Sequence, residues 1–445
     1  MAKLWDKGFK ADAKIDAFTV GKDRELDLQL APFDILGTIA HITMLESVGL
    51  LTREELDALL PELRALYRLA EQGAFVIEPD VEDIHSQVEL MLTRKLGEIG
   101  KKVHTGRSRN DQVLVDLNLF ARARIEKTVG KIHSLFTALQ EASERYKDVL
   151  IPGYTHLQVA MPSSFGLWFG AYAESLSGDL LSMKAAWDFV NRNPLGSAAG
   201  YGSSAPLNRA MTTALLGFED LNYNSVYAQM TRGKMERIVA FAYASVAETL
   251  GRLAWDGCLF SSQNFGFIHL PDPLTTGSSI MPHKKNPDVF ELVRARCNKL
   301  QGPVNDIRLI SGNLPSGYFR DMQLLKEVFF PIFEELDDCL DIVEYAVAGM
   351  EVRTDAMEDP KYRLAFSVEE VNRLAASGVP FRDAYRQVAD AIRSGTFAFR
   401  GTLRHTHEGS LGNLCNDRIR ARMDLILSGF SFEKVGNALS GLLGE

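Results

Sequence analysis

Proline is missing from three long stretches of the chain: between Pro79 and Pro152, between Pro206 and Pro271, and between Pro331 and Pro360. A helix interior excludes proline, which has no N–H to donate and whose ring clashes with the preceding turn, so these stretches permit long helices. Apolar spacing decides the matter. Ile125, Val129, Ile132, Phe136 and Leu139 step by three and four, as do Val239, Ala242, Val246, Leu250 and Leu253 in the second gap and Ile332, Leu336, Cys339, Val343 and Val347 in the third. That period is helical, and strand-like alternation is scarce. The predicted fold class is all-α, with a central bundle of long helices, because helices of this length cannot each bury a stripe alone. Small residues along the second seam (Ala240, Ala242, Ala244, Ser245, Ala247) allow close helix approach.

The 445 residues exceed one ordinary domain. The expected division is an N-terminal helical domain (1–105), a central long-helix bundle (106–355) and a small C-terminal helical domain (356–445), where SGVPFRDAYRQVADAIRSG reads as a turn and an amphipathic helix. Lys+Arg 49 against Asp+Glu 58 leaves a net charge of −9, which argues against nucleic acid as partner yet allows a small anionic substrate at a local basic cluster. No apolar run is expected to reach the roughly 18 residues of a membrane span, and the opening residues have no signal-peptide core. The four cysteines form no CxxC, so neither a disulfide framework nor a thiolate zinc site is expected, and a reducing cytoplasm is the expected location.

Four segments carry polar residues that a plain bundle does not need. EDIHSQVE (82–89) reads as a helix start capped by Asp83, with His85 in the first turn. HTGRSRNDQ (104–112) concentrates Arg107 and Arg109 with Ser108, Asn110 and Gln112; arginine forks suit carboxylates, although the same string serves equally as a solvated loop ending in a helix cap, with Asp111 balancing the arginines. PGYTHLQ (152–158) reads as a turn at Pro152-Gly153 followed by Thr155 and His156, outside any helical seam. TTGSSIMPHKKNPD (275–288) is a polar loop whose serines, His283, Lys284, Lys285 and Asn286 can surround an anion, entering a helix at Asp288 with Glu291 in its first turn. His405 and His407 are two ligand-type side chains without nearby partners and read as loop histidines, not a metal site.

GSSIMPHKKNPD resembles the signature loop of the fumarase/aspartase superfamily, of general form GSSxMPxKxNP. Within it, EDIHS, HTGRSRNDQ, PGYTHLQ, LPSGYFRDMQLLKE and the opening KLWDKGF resemble the argininosuccinate lyase family, which includes the delta-crystallins, over about residues 3–400. Adenylosuccinate lyases and fumarases resemble the chain mainly at the signature loop. The resemblance implies a tetramer with active sites at subunit interfaces, no metal or organic cofactor, and elimination of fumarate from argininosuccinate to give arginine. It implies Ser278 as base, Lys284 and Asn286 as holders of a carboxylate, and His156 with Glu291 as an acid and its carboxylate partner. It implies substrate contacts from Arg109, Asn110, Thr155, Tyr318, Gln323 and Lys326, with His85 and Ser86 nearby. Three departures stand out. His283 replaces a common glutamine, FTVGKDREL offers no substrate serine at Thr19, and MTRGKME stands in place of a Ser-Arg-Asp run, with Arg232 the nearest counterpart. An alternative substrate is another succinyl amine such as adenylosuccinate, and a non-catalytic relative would be expected to lack His156 or Ser278, both of which are present.

The chemistry explains the residue types. Removing a proton beside a carboxylate loads that carboxylate with nearly two negative charges, which fixed cations and N–H donors must meet. A serine acts as base only in a positive local field, and a histidine titrates near neutrality, as a proton donor to a leaving nitrogen should.

Overall fold

The computed structural model describes residues 12–444. The KLWDKGF opening therefore lies outside the described residues. After short helical turns at Ala13–Val20 and Asp23–Asp27, the chain forms α1 (Ala31–Ser47), α2 (Arg53–Glu71) and α3 (Ile84–Leu96). Next come α4 (Arg109–Arg145), a hairpin of β1 (Leu150–Thr155) and β2 (Gln158–Ser164), α5 (Phe165–Val190), α6 (Lys234–Ser261), α7 (Asp288–Lys299) and α8 (Pro331–Gly349). The 37 residues of α4 reach about 55 Å at 1.5 Å per residue.

All three seams read from the sequence are buried in one apolar cluster that runs along α4, α5, α6, α7 and α8. Few polar groups interrupt it. Thr128 Oγ1 donates to Asp337 Oδ1 at 2.7 Å and lies 2.8 Å from the Tyr243 hydroxyl, tying α4, α6 and α8 together in a dry interior where such bonds are strong. A second cluster joins α1, α2 and α3 to Leu216 and Phe218.

The C-terminal segment divides in its packing. Helices α9 (Ser367–Ala376) and α10 (Phe381–Arg393) share a small core of Val371, Ala384 and Val388. Helix α11 (Asn416–Leu427) returns to the bundle, where Asn416 Nδ2 donates to Ser143 Oγ at 2.9 Å, and α12 (Phe432–Leu443) brings Leu442 into the N-terminal core while its carbonyl accepts from Arg64.

Two sequence expectations are corrected. Pro152-Gly153 is not a turn. Both lie in β1, where Pro152 pairs with Pro162 so that neither missing N–H breaks a ladder bond, and the register shifts at Gly153. The turn is His156-Leu157, both at φ +56°. Secondly, Lys14–Ser47 contains a window of mean hydropathy 1.3, long and apolar enough to cross a membrane by length and composition; 72% of that window is buried in the fold, as in a core helix.

Candidate active site

The cleft begins with two helix caps. Ser108 and Asp111 form a capping box at the start of α4, with Ser108 Oγ accepting from the Asn110 N–H and Asp111 Oδ1 accepting from the Ser108 N–H. Asp111 Oδ2 also accepts from the Gly196 and Ala198 N–H groups. This anchoring leaves Arg109 and Asn110, the first two residues of the helix, facing a cleft of about 180 Å³. Asp83 caps α3 by accepting from the Ser86 N–H (2.8 Å) and hydroxyl (2.6 Å), which places His85 and Ser86 opposite Arg109. Arg109 reaches Asp83 Oδ2 at 3.0 Å, Glu82 Oε2 at 3.3 Å and Ser86 Oγ at 2.9 Å.

The far wall comes from the segment before α8. Tyr318, Arg320, Gln323 and Lys326 all line the cleft, together with Asp23, Asp27 and Arg232. Lys326 is buried and its ammonium lies 2.6 Å from Asp27 and 2.7 Å from Asp23. Burial would depress its pKa, but the two carboxylates raise it, so the charge is held. Burial outweighs the same pairing at Asp23, pushing its carboxyl up to about 6. Gln323 donates to the Thr19 and Val20 carbonyls, so the N-terminal helical turn closes one edge of the cleft. Arg232, at 2.9 Å from Glu236, also donates to the Met322 carbonyl at 2.7 Å. A clamp of four cations among four carboxylates suits a substrate that itself carries charges of both signs.

The structure thus brings Arg109, Asn110, His85, Tyr318, Gln323 and Lys326 together, with Ser86 bonded to Arg109. It does not bring the others there within one chain. Thr155 and His156 are exposed at the tip of the hairpin, beside a separate cavity walled by Trp168, Trp255 and Phe265. His156 makes no hydrogen bond among the described residues. Ser278, Lys284 and Asn286 lie on a loop whose neck is closed by reciprocal backbone bonds between Thr276 and Asn286. Ser278 Oγ accepts from the Met281 N–H at 3.1 Å, while Lys284 and neighbouring Ile280 are exposed. Glu291 is exposed on the first turn of α7, as the sequence placed it, and makes no bond to His156.

Sequence reasoning missed Asp23, Asp27, Glu82 and Arg320 in the cleft wall. Arg320 pairs with Glu82 at 3.0 Å, and only its place in the LPSGYFRDMQLLKE string could have pointed to it. It also missed Asp34 and Asp116, which sit behind His85: Nδ1 of His85 is 2.7 Å from Asp34 Oδ1 and 3.6 Å from Asp116 Oδ2. The three residues bring candidate ligand atoms within 4.8 Å of one another. A shared ion does not fit, because two ligands at about 2.0–2.1 Å from one tetrahedral zinc stand roughly 3.3 Å apart. The 2.7 Å contact is a hydrogen bond. His405 is likewise committed, to Ser410 Oγ at 2.7 Å and Glu369 at 3.2 Å.

Residues 7–302 match the family model described as lyase. The chain is 64% identical to the argininosuccinate lyase of Parabacteroides distasonis over 441 residues, covering 99% of each chain. It is 62% identical to that of Bacteroides fragilis over 443 residues, covering 100% of this chain and 99% of the other. Among solved structures, an EDDS lyase variant with bound fumarate superposes with a TM-score of 0.78 at 22% identity, covering 98% of this chain and 95% of that one, a likeness of fold.

Proposed function

The chain belongs to the argininosuccinate lyases, carbon–nitrogen lyases of the fumarase/aspartase fold, and from that premise we propose how its residues divide the work of splitting argininosuccinate reversibly into arginine and fumarate. The observation that carries the reading is the gathering of Arg109, Asn110, His85, Tyr318, Gln323 and Lys326 around one cleft of mixed charge. Argininosuccinate carries carboxylates, an ammonium and a guanidinium-type group. The cleft's cations meet the first, and Asp23, Asp27 and Glu82 are matched to the others. Thr155 and Ser86 add hydroxyl contacts.

Ser278 removes the proton next to a succinyl carboxylate. The carbanion delocalises into that carboxylate as an aci-form, and Lys284 and Asn286 stabilise the extra charge. His156, oriented by Glu291, donates a proton to the departing guanidinium nitrogen. No catalytic step needs a metal or an organic cofactor. Because the hairpin, the signature loop and the cleft are separate in one chain, the working form is a homotetramer that combines them from different subunits. The four cysteines are free thiols, in keeping with a cytoplasmic enzyme performing the last step of arginine biosynthesis.

The test follows ultraviolet absorbance of fumarate after addition of argininosuccinate, with adenylosuccinate and malate in parallel. Release from argininosuccinate alone supports the reading; release only from another succinate refutes the substrate. Ser278→Ala should abolish turnover while leaving argininosuccinate binding largely intact, and retained turnover would remove Ser278 from the base role.

A further inference from the structure

Behind His85 lies a group of charges with no place in the chemistry above. Asp34 on α1 and Asp116 on α4 are both enclosed, at 1% and 0% exposure. Asp34 Oδ2 and both carboxylate oxygens of Asp116 have no hydrogen-bond partner among the described residues. The single positive charge that His85 can carry balances only one ionised carboxylate in a site this dry, so the other is held as the neutral acid. Burial, reinforced by the charge of Asp34, raises Asp116 far above the usual carboxylate range, so Asp116 is the member that favours the proton.

His85 answers the charge that remains. Its Nδ1 is turned inward to Asp34 and Asp116, so the opposite edge of the ring, Nε2, is the one left for the cleft that His85 lines. We propose that Asp34 and Asp116 are positioning residues for the elimination: a buried carboxylate pair sharing one proton fixes His85 as a doubly protonated imidazolium whose Nε2–H is a permanent donor to a substrate carboxylate. The other charges facing this group are Asp83 at the cap of the histidine's own helix and Asp27 across the cleft, opposed by Arg107 of the turn ahead of α4; His104 beside it is kept neutral, because burial and then Arg107 bring its imidazole down to about 4. Burial alone would strip the proton from His85, but the surrounding carboxylates, led by Asp34 through its charge and hydrogen bond, push the imidazole up to about 9. Arg107 is half-buried and bonded to Thr38 and the Val103 carbonyl, so it is held in place and does not move to neutralise Asp34.

The inference rests on argininosuccinate being bound in this cleft. The experiment measures KM and kcat for argininosuccinate from pH 6 to about two units above the His85 value of about 9 in wild type, Asp116→Asn, the double variant Asp34→Asn with Asp116→Asn, and His85→Asn. Asparagine mimics the neutral acid, so Asp116→Asn should keep KM within about twofold at every pH. The double variant removes the Asp34 counter-charge and leaves no second acid to ionise in its place, so His85 falls neutral at high pH. Its KM should rise tenfold or more at pH 8 and recover to within about threefold by pH 6, with kcat changed far less. His85→Asn should raise KM without that recovery. A double variant with wild-type KM, or with a rise that is the same at pH 6 and pH 8, overturns the inference. Should the double variant fail to fold, wild type decides: its KM must climb above about pH 9 along a limb that His85→Asn lacks, and its absence overturns the inference equally. Absence of fumarate release in wild type would instead count against the proposed function and carry this inference with it.

Discussion

Asp23 offers a quantitative test of how much stability the cleft gives up. Its side chain is 16% exposed and 2.7 Å from the Lys326 ammonium, beside Asp27. Burial raises its carboxyl from 3.8 to about 6 even though Lys326 pulls the other way. A raised carboxyl means the native state binds the proton more tightly than the unfolded chain, so stability is fully present below pH 3.8 and is lost as pH climbs through about 6. At 1.36 kcal/mol per tenfold change in proton affinity, the loss totals about 3 kcal/mol by pH 8. Asp23→Asn keeps an oxygen for Lys326 but cannot ionise. The stability of the variant relative to wild type should therefore grow by about 3 kcal/mol between pH 4 and pH 8, with nearly all of the change between pH 4 and 7. Differential scanning fluorimetry of both proteins across that range reads it directly as a widening gap in Tm. A gap that stays constant with pH, or that closes as pH rises, would show that the Lys326 charge outweighs burial and would refute the reasoning.

Glu236→Ala strands the buried Arg232 guanidinium and frees the Gly233 N–H that Glu236 accepts, so it should destabilise by about 3–5 kcal/mol; a urea midpoint close to wild type would show the pair to be replaceable. Gly166→Ala would put a Cβ 2.5 Å from Lys147 Cα and 2.8 Å from the Ser143 carbonyl, and should cost about 1–3 kcal/mol. Gly436→Ala in α12 meets nothing within 4 Å and should instead stabilise by about 0.5–1 kcal/mol, so opposite Tm shifts are expected from the same substitution. Inactive Ser278→Ala and His156→Asn proteins, unfolded and refolded together in equal amounts, should recover about a quarter of wild-type turnover if each site takes these residues from different copies. No recovery would place both residues in one subunit's site.

The long helices were legible because their signal is local: a proline gap plus a three-and-four apolar step needs no knowledge of the partner, and every seam residue so identified is buried. The cap at Asp83 was legible for the same reason, and so was a cap at the end of the 104–112 loop, which the structure places at Ser108. The hairpin was not. Its tight turn uses His156 and Leu157 at positive φ, where Asn-Gly would have advertised it, and its strands carry paired prolines. In the cleft, residues within the recognisable strings were found, whereas Asp34 and Asp116 were passed over. A signal existed: each is a lone acid in an apolar run, PFDILG and VLVDLNLF, at a position the helical period buries. A charge there needs a partner, and only the fold reveals that the partner is His85.

The separation of the proposed working parts bears on why an assembly of several copies is proposed. Ser278, Lys284, Asn286, Glu291 and His156 all stand outside the cleft that Arg109 and Lys326 line. A half-buried serine on a loop open to water is a poor base, because water screens the positive field its alkoxide requires, and an exposed histidine on a turn has nothing to hold its ring. Large apolar groups stand exposed on the same helices, Trp255 and Phe241 on α6 and Leu292 on α7, at 47%, 59% and 61%. Covering those faces with further copies buries apolar surface, which is favourable whatever the chemistry, and the same act excludes water from the loop and the hairpin tip. The long, rigid bundle carries both functions: its seams hold the fold of one chain, and its outward faces offer the contact through which the proposed tetramer would complete the site.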